Sequence, residues 1–80
     1  MTVQLSVTTK YWEDQEWGLR HYQELVERYP NLWVAIVDRQ VVSWGPDPSA
    51  VEEEAARKTG RPKETIALLF VEAGNQILSV

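Results

Sequence analysis

Tyr29-Pro30-Asn31-Leu32-Trp33-Val34-Ala35-Ile36-Val37-Asp38-Arg39-Gln40-Val41-Val42-Ser43-Trp44-Gly45-Pro46-Asp47-Pro48 is the stretch from which the rest of the chain can be read. Pro30 stops the helix that precedes it, because the residue before a proline is pushed out of the helical region. Trp33 to Val37 and Val41 to Trp44 are β-branched and aromatic runs, and the polar link Asp38-Arg39-Gln40 is of hairpin length. With Asp38 and Arg39 as the loop, Val37 pairs with Gln40, Ala35 with Val42 and Trp33 with Trp44. A type I′ turn favours glycine second, so Arg39 would sit at positive φ at some cost, and a three-residue loop stays open as the alternative. Gly45-Pro46 ends the second strand, Asp47 is a good N-cap, and Pro48 suits the first helical position.

Working outward, Leu19, Tyr22, Leu25, Val26 and Tyr29 fall at spacings of three and four, which predicts an amphipathic helix from about Asp14 to Tyr29. Glu13, Asp14 and Glu16 then lie in or before its first turn and Arg28 in its last, as the helix dipole prefers. Gly18 weakens this helix by roughly 1 kcal/mol relative to alanine and allows Trp17 or Trp12 to approach the sheet closely. Downstream, Glu52 to Glu54 come early and Arg57 and Lys58 late in a helix that Gly60 closes as a left-handed cap. Its buried stripe is thin: Val51, Ala55 and the Lys58 methylenes, with Ala56 at the margin. Thr65 to Val71 is a nearly unbroken apolar run, the pattern of an interior strand. Val3, Leu5 and Val7 alternate with Gln4 and Ser6, a period-2 pattern, so residues 1–10 read as an edge strand or a mobile arm. Residues 75–80, with Ile77, Leu78 and Val80, read as a mobile tail or as a further edge pairing.

The order is therefore (β)αββαβ in a single domain over residues 1–80. It is an α+β fold with a small mixed sheet of three to four strands and its helices mainly on one face. The hairpin fills one side of its first strand, so the last strand lies on the other, reached by a right-handed crossover.

Eighty residues bury only about 60% of the unfolded surface, and the absence of cysteine removes disulfides and thiolate metal sites as supplements. A reducing cytoplasm is the expected compartment. The N-terminus has no basic region ahead of a long apolar core, so a signal peptide is not expected. The longest apolar run, Ile66 to Val71, is far short of the ~20 residues that span a bilayer. A net charge of −4 opposes phosphate and sets nucleic-acid binding low.

The chemistry-bearing residues are sparse. The lone histidine, His21, lies beside Arg20 and off the apolar stripe, so a surface or boundary role outweighs catalysis. Glu52, Glu53 and Glu54 are consecutive and fan over about 200° of a helix, which suits a dipole and not a metal. Glu13, Asp14 and Glu16 read the same way. There is no Asp-Thr-Gly or Asp-Ser-Gly signature and no glycine-rich phosphate loop. No catalytic residue, metal ligand or cofactor is expected. Arg57, Lys58, Arg61 and Lys63 form a basic cluster best read as a solvated helix end, with an anion or RNA contact as the minor reading. Lys10, Tyr11 and Trp12 would make a stacking platform for single-stranded nucleic acid only with a basic groove behind them.

The central motif resembles that of a small prokaryotic domain family of unknown function, found in archaea and cyanobacteria. The matching residues are Tyr29-Pro30, Trp33-Val34-Ala35-Ile36-Val37-Asp38, Val41-Val42, Gly45, Asp47 and the run Ile66 to Val71, about two thirds of the chain. Two glycines of that pattern are replaced, by Asn31 and Arg39. The resemblance implies a fold and a prokaryotic setting, with genes that neighbour retropepsin-like aspartic proteases. It carries over no functional residues.

Four tryptophans and three tyrosines are rich for an acidic domain, and aromatic anchors concentrate at interfaces. In the simple hairpin Trp33, Ala35, Val37, Val42 and Trp44 share one face, opposite Val34, Ile36 and Val41. With both helices on one face, the other needs a cover, since soluble monomers rarely expose more than a few hundred Å2 of contiguous apolar surface. The expected function is a non-enzymatic protein-protein interaction module, a homodimer formed through an apolar sheet face or strand edge. Its interface is Trp33, Ala35, Val37, Val42 and Trp44, joined by Val3, Leu5 and Val7 of the N-terminal strand. The alternative is a heterologous partner: an accessory, inhibitor or antitoxin-like subunit of a neighbouring enzyme such as an aspartic protease. A weak nucleic-acid binder ranks third.

Overall fold

The hairpin is present as β1 (Leu32–Ile36) and β2 (Val41–Gly45). Val37 N–H donates to Gln40 C=O at 2.9 Å and Gln40 N–H returns to Val37 C=O at 3.2 Å, so Asp38 and Arg39 are the loop. Both sit at positive φ, 54° and 61°, the type I′ geometry. Beyond Ile36↔Val41 the register slips, and Ala35 faces Ser43, Val34 faces Trp44 and Trp33 faces Gly45. Val42 is thus the extra residue of a β-bulge. The pairs Ala35–Val42 and Trp33–Trp44 are not formed, and the two tryptophans lie on opposite faces.

The computed structural model describes the backbone of residues 2–73 and the side chains of residues 10–73. The remaining elements are α1 (Thr2–Arg20), α2 (Tyr22–Arg28), α3 (Pro48–Thr59) and β3 (Ala67–Val71), with a 3-10 turn at Lys63–Thr65. Residues 75–80, read as a tail, lie outside the described residues.

The N-terminal segment is helical, not an edge strand. Positions 3, 7, 11, 14 and 18 recur at spacings of three and four, a helical stripe that a five-residue alternation cannot be told from. Tyr11 packs on the core, and Asp14 and Gly18 are buried. Asp14 is therefore in mid-helix, not in a first turn. The single helix expected from Asp14 to Tyr29 is broken at His21 (φ −104°, ψ 21°). His21 N–H and Nδ1 both meet the Trp17 carbonyl, at 3.1 and 2.9 Å. A side chain inserted into the helical ladder is a recognised cause of a kink. The kink shifts the phase, so Leu19 faces solvent while Leu25, Val26 and Tyr29 pack on the core.

The fold is α+β, with a three-stranded sheet in the order β2-β1-β3. β3 lies beside β1 as expected, but both neighbouring pairs are antiparallel, so the sheet is not mixed. The crossover makes β3 run with β2, and β1 between them opposes both. Helices cover both faces, not mainly one. Val34, Ile36, Ala67 and Val71 pack with Leu25 of α2 and with Tyr11 and Trp17 of α1. Ala35, Val37 and Ile66 pack on the other face with Val51 and Ala55 of α3. The reason is β1 itself, apolar on both sides and therefore covered on both.

Small residues seat α1 and α3. A Cβ built on Gly18 would lie 2.6 Å from Ile36 Cδ1 and 3.0 Å from Leu69 Cδ2, so α1 touches the sheet through a bare backbone. On the other face Ser43 Oγ donates to Val51 C=O at 2.7 Å, and a Cβ on Gly45 would stand 3.3 Å from Val51 Cγ2. The bulge turns Ser43 and Gly45 toward α3 and the larger Trp44 away from it. Asp47 caps α3 by accepting from Ser49 N–H, Pro48 opens it, and Gly60 closes it at φ 76°, all as read from sequence.

The strained loop is held from outside the hairpin. Asp14, 3% exposed in α1, accepts from Asp38 N–H (3.3 Å, Oδ2) and Arg39 N–H (3.0 Å, Oδ1). Arg61 Nη2 stands 3.8 Å from Asp14 Oδ2 and donates to Asp38 Oδ1 at 3.2 Å, while its Nη1 donates to Thr65 C=O at 3.3 Å. Lys10 adds an exposed ion pair to Asp38 at 3.6 Å. Asn31, at φ 60°, joins β1 to β3 by donating N–H to Val71 C=O at 2.7 Å and accepting Ala73 N–H on Oδ1 at 3.1 Å.

These contacts set the expected effect of three substitutions. Gly18→Val will lower the unfolding free energy by about 2–3 kcal/mol in a denaturant titration, because the added methyls collide with a packed core. Asp14→Ala will cost about 2–4 kcal/mol, since it removes the acceptor of both turn amides and strands Arg61. Arg39→Gly, which relieves the positive φ, will raise stability by up to about 1 kcal/mol.

Candidate interaction surfaces

The helices are staggered across the sheet: α1 and α2 lie mainly over β3, and α3 mainly over β2. A sheet of three strands covered this way is left open at two diagonal corners. Each corner holds an aromatic pair. Tyr29 and Trp44 meet at 5.1 Å and 45° on the α1/α2 side, and Trp33 and Phe70 at 5.3 Å and 55° on the α3 side. Trp44 is 51% exposed and Phe70 37%.

This redistributes the residues read as an interface. Ala35 and Val37 are buried under α3, and Trp33 and Val42 are half-buried against the same cluster. Trp44 is on the opposite face beside Tyr29. The backbone of Val3, Leu5 and Val7 belongs to α1 and not to a strand. Phe70 and Leu68, which complete the exposed corner around Trp33, were hidden in an unbroken apolar run that gave no sign of which residues face out.

The two sheet edges are treated differently. On β2 the bulge disrupts the ladder, and Lys58 Nζ donates to Val42 C=O at 2.9 Å while pairing with Glu54 at 3.5 Å. A bulge and a lysine are common means of blocking strand addition. On β3, Val71 C=O turns inward to Asn31, so by alternation Leu68, Phe70 and Glu72 turn their peptide groups outward. The Tyr22 hydroxyl donates to Phe70 C=O at 3.4 Å and accepts Glu72 N–H at 2.6 Å. Ile66 N–H donates to Lys63 C=O at 3.1 Å. Between them, no described group is hydrogen-bonded to the outward peptide groups of Leu68. No charged side chain lies within β3.

The polar groups are mostly committed within the fold. Arg61 belongs to the Asp14 clamp, Lys63 pairs with Glu53 at 3.6 Å, and Lys58 holds the β2 edge. The basic cluster read from sequence is thus largely a set of internal ion pairs. Lys10 pairs with Asp38, and Tyr11 packs inward with Trp12 edge-on to it, leaving Trp12 60% exposed. His21 stacks on Trp17 at 4.4 Å and borders an open cleft of about 260 Å3 with Glu13, Glu16, Arg20 and Arg39. Arg20 there pairs with Glu16 at 3.3 Å. A carbonyl only accepts, so the proton on His21 is assigned to Nδ1, facing Trp17 C=O. Among the described residues no group of three acidic or histidine side chains is arranged to hold a metal ion, and no helix is long and apolar enough to cross a membrane.

No curated protein and no solved structure matches this chain. A family model does match, over residues 24–74, which takes in most of α2, the hairpin, α3 and β3, with α1 before it. The match spans more than half of the chain, and the protein belongs to a family of unknown function, DUF5678.

Proposed function

We propose that this protein is a small non-enzymatic interaction module that self-associates by placing the β3 edge of one copy against the β3 edge of another. The observation that carries the reading is the contrast between the edges. β2 is bulged and capped by Lys58, whereas β3 is regular and uncharged and, among the described residues, open at Leu68. Leu68, Phe70 and Trp33 put apolar side chains beside that opening on the α3 side. Backbone pairing would supply affinity, and those side chains a dry flank. Antiparallel pairing of one strand with its own copy is two-fold symmetric, the commonest closure of a homo-oligomer. A short single-core chain gains stability by such assembly. The lack of cysteine suits a reducing cytoplasm, and the motif resemblance a prokaryotic one.

Light scattering after gel filtration will report more than one chain for the wild type. Leu68→Lys, which sets like charges together at the shared edge, will weaken assembly at least about tenfold. Trp44→Arg, on the far corner, will leave it unchanged. A single chain at all concentrations overturns the proposal, and loss of assembly in Trp44→Arg alone moves the interface to the Tyr29–Trp44 corner.

A further inference from the structure

Resting on the strand-addition reading, we infer that Tyr22 sets the register of that addition, with Leu68 of one copy opposite Leu68 of the other. Its phenol sits at the outer edge of β3 with one donor directed to Phe70 C=O and one acceptor to Glu72 N–H. Those are the bonds a neighbouring strand would make. At the other end of the strand Ile66 N–H is held by Lys63 C=O. The outward groups left between these two stops are Ile66 C=O, both peptide groups of Leu68, and Phe70 N–H.

Only one antiparallel register uses all of these and no others. With Leu68 opposite Leu68, each Leu68 N–H donates to the Leu68 C=O of the second copy, and each Phe70 N–H donates to the Ile66 C=O of the second copy. The bond left unmade in that ladder runs from Ile66 N–H to Phe70 C=O, and both of those groups already have partners within their own chain. A slip by two residues that sets Leu68 opposite Phe70 calls on Phe70 C=O and Glu72 N–H, so it must displace the Tyr22 hydroxyl from both. The opposite slip needs Ile66 N–H, which the 3-10 turn holds. In the favoured register Leu68 meets Leu68 and Ile66 meets Phe70 on the α3 side. Tyr22 is a positioning residue: it fills one end of the edge and leaves the centre to a second copy.

The test uses single cysteines, since the chain has none of its own. Directly opposed residues of this kind have Cα atoms about 5.5 Å apart, within disulfide range. Leu68→Cys will therefore form a covalent dimer on mild oxidation. Phe70→Cys will not, because its two copies are offset by four residues, about 14 Å. Adding Tyr22→Phe to Leu68→Cys frees the slipped register and will lower the cross-linked yield at least about threefold. As a check that needs no substitution, the Leu68 and Phe70 amides of the wild type will exchange hydrogen at least about tenfold more slowly in concentrated than in dilute solution. If the wild type assembles but Leu68→Cys cross-links no better than Phe70→Cys, the register is wrong and the edge pairing stands; if Leu68→Cys cross-links but Tyr22→Phe leaves the yield unchanged, Tyr22 does not set the register. If the wild type is a single chain, the strand-addition reading itself falls.

Discussion

The structure depends on a carboxylate placed where the hairpin turns. Asp38 and Arg39 both occupy the left-handed region, which costs roughly 1–2 kcal/mol for a residue such as arginine. Asp14 offsets that cost by accepting both turn amides from a helix that meets the loop across 24 residues of sequence. Arg61 then meets Asp14 and Asp38 together and donates on to Thr65, so α1, the hairpin tip and the turn into β3 are joined through one guanidinium. With the tip fixed, the register along β1 follows. Burial of Asp14 makes its bonds matter more than those of an exposed pair, because a buried carboxylate without partners is far costlier than one in water.

A second constraint is the close approach of helices to a narrow sheet. Gly18 on one side and Ser43 and Gly45 on the other let α1 and α3 pack against backbone or small side chains. The bulge at Val42 is what turns Ser43 to α3. It also sends Trp44 to the opposite face, where it rests on Tyr29. The staggered helices then bury the centre of the sheet and leave diagonal corners, so the aromatic richness of the chain is spent partly in the core, as with Trp17, and partly at those corners. The same bulge, with Lys58, closes the β2 edge.

Several of these features are legible in the residues. The hairpin with its Asp38-Arg39 loop, the capped α3 with Asp47, Pro48 and Gly60, and the position of β3 beside β1 all come from local chemistry and from the exclusion of occupied slots. Asp14 left a signal as well: an acidic residue on a stripe with Tyr11 and Gly18 has to meet something polar inside the fold, and Arg39 at positive φ has to be held by something outside the turn. Neither clue names its counterpart. The N-terminal alternation of Val3, Leu5 and Val7 was ambiguous for a different reason, since so few residues fit a strand and a helix equally well until a helix has a face to lie on.

The amino-acid sequence alone determined the element boundaries around the central stretch, the α+β class and the apolar character of both faces of β1, because turn geometry, capping and hydrophobic period act over a few residues. Only the tertiary structure decided that helices cover both faces, that one extra residue separates Trp33 from Trp44, and that, among the described residues, the edge left open is that of β3 and not that of the bulged, Lys58-capped β2. Those outcomes depend on how closely α3 can approach Ser43, on a carboxylate reaching the turn from α1, and on a phenol reaching the strand edge from α2. Such contacts join residues far apart in the chain, and no local pattern encodes them.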